Sequence, residues 1–189
     1  MQSVPGALPV SCLAAGDGYL RARLKGAIDA DIDWPNAGTR CEGEERPGHE
    51  GLRLSFHRDP PSAPDLLFVF GISNIGENQP ARGAAVNLTV IAQGDGRVYG
   101  TRGDSRCTID SLRQTRLDDA VQSAAAPPTT SAARRYRIEA RGFCTGPARA
   151  VRGEGSVLVT TFDFAGAVRF DPQEPGDAQA RGNPREHGK

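Results

Sequence analysis

Between Val86 and Tyr99 the chain commits itself to a hairpin. Val86, Leu88 and Val90 alternate with Asn87, Thr89 and Ile91, the period-two pattern of a strand with one face on a core. Gly94-Asp95-Gly96 follows, and such residues tolerate the positive φ of a tight turn. Val98 and Tyr99 then resume the apolar run, and a third run, Cys107 to Leu112, predicts a short strand at a sheet edge. A chain that starts this way must supply further strands to cover the hairpin's apolar face.

It does so repeatedly. Leu20, Ala22 and Leu24 alternate with Arg21, Arg23 and Lys25; Leu52, Leu54 and Phe56 with Arg53, Ser55 and His57; Tyr136, Ile138 and Ala140 with Arg135, Arg137, Glu139 and Arg141. Leu66 to Ile72 is continuously apolar and suits a central strand buried on both faces. Val157 to Phe170 suits one long bent strand or two short ones, with Gly166 marking a bulge. The 23 glycines and 14 prolines punctuate these runs, and no segment of helical period intervenes. The prediction is an all-β fold, a β-sandwich or related barrel of about eight short, mainly antiparallel strands.

Residues 1–18 read as an arm or first short strand around Val10, residues 19–171 as the sandwich domain, and residues 172–189 as a disordered polar tail. Within the domain, residues 118–134 are rich in Ala, Pro, Ser and Thr; they bury too little to offset their own ordering and are predicted to be mobile. Ile28 to Gly38 and Cys41 to Glu50 read as charged loops.

Cys12, Cys41, Cys107 and Cys144 are widely spaced, with none of the close pairs that build zinc knuckles or redox motifs. Two disulfides are expected. Sequential pairing, Cys12 to Cys41 and Cys107 to Cys144, is the simplest of the three connectivities, and the spacing leaves the other two open. Bridges imply a periplasmic or extracellular location. The opening residues lack the basic start and apolar core of a signal peptide, so the export signal is expected to lie outside this sequence. Val10-Ser11-Cys12 is similar to a lipoprotein acceptor site, but Pro9 replaces its leucine, which argues against a lipid anchor at Cys12. No run approaches the roughly 18 apolar residues of a transmembrane helix. The basic residues are arginines except Lys25 and Lys189, a bias expected of a GC-rich, bacterial genome.

Acidic and basic residues balance at 23 each, so no global field recruits nucleic acid or an anionic membrane. Asp29, Asp31 and Asp33 stand at alternate positions as at the start of a calcium loop, which makes them the candidate metal ligands. Trp34 stands where the glycine of such a loop belongs, and Arg40 where its bidentate glutamate belongs; a solvated acidic loop is therefore the plainer reading. Trp34 is the candidate sugar-stacking residue, against its simpler role as the lid of a core edge. Arg102-Gly103-Asp104 matches an integrin-binding tripeptide, at a chance level in so Arg- and Gly-rich a chain. Asn87-Leu88-Thr89 is a glycosylation sequon inside a predicted strand. His49, His57 and His187 are scattered, and no nucleophile elbow, P-loop or zinc-protease motif is present. The expected function is an exported, non-catalytic binding module of the cell envelope, its ligand a protein or a glycan. A small envelope hydrolase built from carboxylates is the alternative, since such pairs leave no sequence signature.

Overall fold

Leu66, Phe68, Phe70 and Ile72 point into the core, while Leu67, Val69, Gly71 and Ser73 form a half-buried outer face. This strand is central, bonded to a neighbour on each side. The computed structural model describes residues 10–103, 106–117 and 133–171. They form eleven strands: β1 Tyr19–Gly26, β2 Ala30–Pro35, β3 Thr39–Glu45, β4 Gly51–Arg58, β5 Leu66–Ser73, β6 Ala84–Ala92, β7 Arg97–Gly100, β8 Cys107–Leu117, β9 Arg134–Cys144, β10 Ala148–Ala150 and β11 Ser156–Phe170.

The fold is all-β. One layer runs β3-β4-β5-β6-β7-β10 and the other β8-β9-β11-β1-β2. Between them, β6 pairs with β8, β10 with β11, and β11 with β3, so that β3, β4, β5, β6, β8, β9 and β11 form a closed circuit. Every pairing is antiparallel except a single parallel bridge, Arg169 to Glu44. The layers meet through aromatic rings: Trp34 edge-on to Phe68, Phe56 on Phe164, and Phe70 on both Phe162 and Phe164. Such rings bury the largest apolar areas per residue and fix the spacing of the layers.

The disulfides join Cys12 to Cys41 and Cys107 to Cys144. The second links residues directly opposite each other on β8 and β9. The first ties the N-terminal arm to β3. That arm is no loose appendage from Val10 onward: Leu13 is buried, and Asn36 accepts hydrogen bonds from the backbone N–H of Leu13 and Gly18 at 2.8 and 3.0 Å. Its described residues form an isolated bridge, Ser11 to Ala37, and no strand. No helix among the described residues is long and apolar enough to cross a membrane.

Strands exceed the expected eight because three of them carry too few large apolar residues to mark an alternation. In β2 only Ile32 and Trp34 face inward, and the outward aspartates disguise the alternation. In β3 the inward positions hold Thr39, Cys41 and Gly43, and β10 is only Ala148–Ala150. Nor is β8 a short edge strand. It spans eleven residues and pairs with β9 through Leu117, its outer half carried by polar residues such as Gln114. β11 is one continuous strand, but its irregularity lies opposite Arg23 and Leu24, which pair with Thr161 and Val159 and leave Thr160 as the extra residue. Gly166 keeps regular register with Ile138. It is glycine because a Cβ there would come within 2.8 Å of the Phe56 ring.

The expected mobile segment lies outside the described residues from 118 to 132, and its last residue, Arg134, opens β9. The predicted tail, 172–189, and residues 1–9 of the arm also lie outside them.

Candidate functional site

The outward face of the second layer is a field of side chains set in rows by strand register. β11 runs down its middle, with β1 and β2 on one flank and β9 and β8 on the other. In one row Asp33 lies opposite Arg21, Arg21 opposite Asp163, and Asp163 opposite Arg141. Charges therefore alternate across four strands, the order in which cross-strand neighbours attract. Arg21 Nε lies 3.2 Å from Asp33 Oδ1, and Arg141 Nε lies 3.7 Å from Asp163 Oδ2. In the next row Asp31 is opposite Arg23 and Arg23 opposite Thr161, with Arg23 Nε donating to Asp31 Oδ1 at 2.8 Å. Lys25 and Asp29 extend the ladder at 2.9 Å.

Tyr19 stands beside Asp163 and donates its hydroxyl proton to Oδ1 at 2.7 Å. Its phenol is pushed up to about 12, first by burial and then by this bond, since deprotonation would place two anions together. The Arg21 guanidinium lies over the Tyr19 ring, 4.9 Å from its centroid. The Arg23 guanidinium holds the Asp31 carboxyl below its ordinary range.

Two hollows share Arg141 and Asp163 and so form one groove across the face. The first, about 700 Å³, is lined by Arg21, Arg23, Asp31, Phe143 and Thr161 among others. The second, about 600 Å³, extends toward Arg82, Arg113 and Glu139. Phe143 is the exposed phenylalanine among the described residues, at 42%. Its strand neighbours leave it clear: Thr108 is directly opposite on β8, and Thr161 lies one step beyond the Phe162–Gly142 pair on β11. A smaller hollow of about 410 Å³ lies at the β3–β11 seam, lined by Glu42 and Glu44 of β3 with Arg53 on one flank and Arg169 and Arg135 on the other.

Trp34, expected as a stacking residue, is 6% exposed and meets the Phe68 ring at 5.5 Å, so its face is turned to the core and away from any ligand. Asp29, Asp31 and Asp33 do not converge. Alternate strand residues stand about 7 Å apart, and each of these carboxylates already faces its own cation, Lys25, Arg23 or Arg21. Among the described residues no group of three His, Cys, Asp or Glu is placed to hold a metal ion. His57 sits half-buried on the outer face of β4. Asp104 of the Arg-Gly-Asp tripeptide lies outside the described residues, as does His187. Asn87 of the sequon is on β6 and accepts a hydrogen bond from Thr101.

The residue missed by sequence reasoning is Phe143. The signal was present: counting in twos from the inward Tyr136 puts Gly142 inside and Phe143 outside. No protein-family model, no curated protein and no solved structure matches the chain.

Proposed function

We propose that this chain is an exported, non-catalytic binding module of the cell envelope that takes its ligand in the groove across β2, β1, β11, β9 and β8. The observation that carries the reading is the exposed Phe143 set among guanidinium–carboxylate pairs that strand register already holds in place. Groups fixed before binding lose little conformational freedom when a ligand arrives. Export is supported by the two disulfides, which persist in oxidising compartments.

Two of the groove carboxylates, Asp31 and Asp163, favour binding over hydrolysis. Glycoside hydrolysis needs one carboxyl kept protonated as an acid, whereas Asp31 is held in the opposite direction by Arg23. Asp163 is occupied by Tyr19 and Arg141. The test is retention of fractionated envelope extract, protein and polysaccharide separately, on the immobilised chain. Retention of one fraction, lost in the Phe143→Ala/Arg141→Ala variant, is the expected result. Turnover of any retained material that disappears on substituting a single groove carboxylate would overturn the reading.

A further inference from the structure

We infer that the groove takes a neutral oligosaccharide, with Phe143 as the platform for one sugar ring and the neighbouring Arg141 and Asp163 as hydrogen-bonding partners for the next. This rests on the binding-module reading and names the ligand class for the same site.

Three observations select that class. The first is charge. The larger hollow presents Arg21, Arg23 and Arg141 against Asp31, Asp110 and Asp163, equal numbers of each sign, and the adjoining hollow adds Arg82 and Arg113 against Glu139, which leaves the groove within one charge of balance. A polyanion or a strongly basic partner would meet as much repulsion as attraction there, while a neutral ligand rich in hydroxyls meets none.

The second is the kind of surface. The groove is a sheet face whose rim strands, β2 and β8 beyond Ile109, lack a second ladder neighbour, but the strands beneath Phe143, Arg141 and Asp163 are paired on both sides: β11 between β1 and β9, and β9 between β11 and β8. Their backbone N–H and C=O groups are engaged in the ladders, so an extended peptide cannot add itself here as a further strand. A ligand must be recognised by side chains alone. Vicinal hydroxyls suit this set, because each carboxylate has acceptor sites left after its arginine, and each guanidinium has donors left after its carboxylate.

The third is the aromatic ring. Phe143 is 42% exposed, with the small Thr108 and Thr161 beside it, so a flat object can approach its face. The C–H-bearing face of a pyranose is such an object, and its weakly positive hydrogens suit the negative face of the ring. Phe143 and Arg141 are two residues apart on β9, about 7 Å along the strand, so a ring stacked on the first leaves its neighbour within reach of the second. From β2 to β8 the face spans four strand spacings of about 4.8 Å, roughly 19 Å, the length of a short oligosaccharide.

The experiment is calorimetric titration of the full chain with cellotetraose, maltotetraose and tetra-N-acetylchitotetraose, with a heparin-derived tetrasaccharide as the charged control. The expected result is binding of at least one neutral tetrasaccharide. Phe143→Ala should weaken it at least tenfold, Thr161→Arg should do the same by filling the space beside the ring, and Phe143→Tyr should retain it. Unchanged melting temperatures show that these variants fold. No heat with any neutral probe at millimolar concentration, tighter binding of the charged control, or binding that survives both Phe143→Ala and Thr161→Arg would overturn the inference. If the neutral probes fail while an envelope protein is retained through Phe143, the glycan assignment falls and the binding module stands. If nothing is retained, both fall.

Discussion

The groove has two banks built on different principles. On one side β1 and β2 are joined by the short turn at Ala27 to Asp29, and their outward residues form the ladder Arg21–Asp33, Arg23–Asp31 and Lys25–Asp29. On the other, the connection from β8 to β9 runs from 118 to 133, and the pair is stapled at its far end by Cys107–Cys144. A short turn fixes register locally at little entropic cost, whereas a long connection must be closed against its own entropy. The covalent bond therefore belongs to the bank whose connection is long, at the end away from that connection, and the surface charges sit where the register is already secure. On the first bank they arrange the face more than they stabilise it.

The largest effect should follow from removing the staple. Cys107→Ala with Cys144→Ala is expected to cost about 2 to 5 kcal/mol, read from the urea midpoint. Opening Cys12–Cys41 belongs in the same range, because the arm it holds carries the buried Leu13. A loss below about 1 kcal/mol in the first case would mean that the β8–β9 bank stands on its pairing alone.

Next comes Gly142, the inward residue beside Phe143. A Cβ there would land on the carbonyl oxygen of Thr108 and within 2.7 Å of the Phe162 ring. Neither can move away cheaply, one being backbone and the other a fully packed ring, so Gly142→Ala should cost about 1 to 3 kcal/mol. Because β9 must shift to admit the methyl group, Phe143 shifts with it. The same variant should weaken any ligand held by that ring, although residue 142 touches none.

The inward pattern of the fold was readable from sequence wherever a strand carried large apolar residues at alternate places. β1, β4, β5, β6, β9 and β11 are legible that way; the spacing of the cysteines leaves three pairings open, and the simplest of them is the one that forms. β2 was hidden because aspartate is a poor strand former and its fitness there depends on cations that belong to β1. β3 was hidden because Gly43 and Cys41 fill inward positions without bulk. The site was harder still. Asp163, Arg141 and Tyr19 are brought together only by the pairing of β11 with both β1 and β9, and no local spacing encodes that. Trp34 attracted notice by its chemistry, yet Phe143 holds the exposed position by parity alone.

Tyr19 offers a smaller and more specific probe of the ladder bank. Tyr19→Phe removes the hydrogen bond to Asp163 and should cost about 1 kcal/mol at neutral pH. The phenol's folded pKa is raised from 10.0 to about 12, so the folded state holds the proton more tightly than the unfolded state. That contribution is complete below pH 10 and is lost as pH rises toward 12. Phenolate absorbance should show a late titration step that Tyr19→Phe diminishes, the remainder belonging to Tyr136, whose phenol is also raised by burial and by Glu77. The urea midpoints of the two proteins should converge across the same interval.

The smallest effect belongs to the Arg23–Asp31 pair itself. Both side chains are well exposed, at 60% and 70%, and water and salt weaken such a pair. A double-mutant cycle with Arg23→Ala and Asp31→Ala should give a coupling near the resolution of a urea titration. The coupling should fade in 1 M salt, where the screening length falls to about 3 Å. Since Asp31 is held below its ordinary range by Arg23, the contribution is present above that range and disappears as pH falls through the lowered value. Ligand binding should respond differently. If the ladder orders the groove, Asp31→Ala frees Arg23 to wander while Arg21 keeps Asp33, and affinity should drop while the melting temperature barely changes. Coupling as large as the loss of a buried pair would instead make the ladder a structural clamp, and the contrast between the two banks would fail.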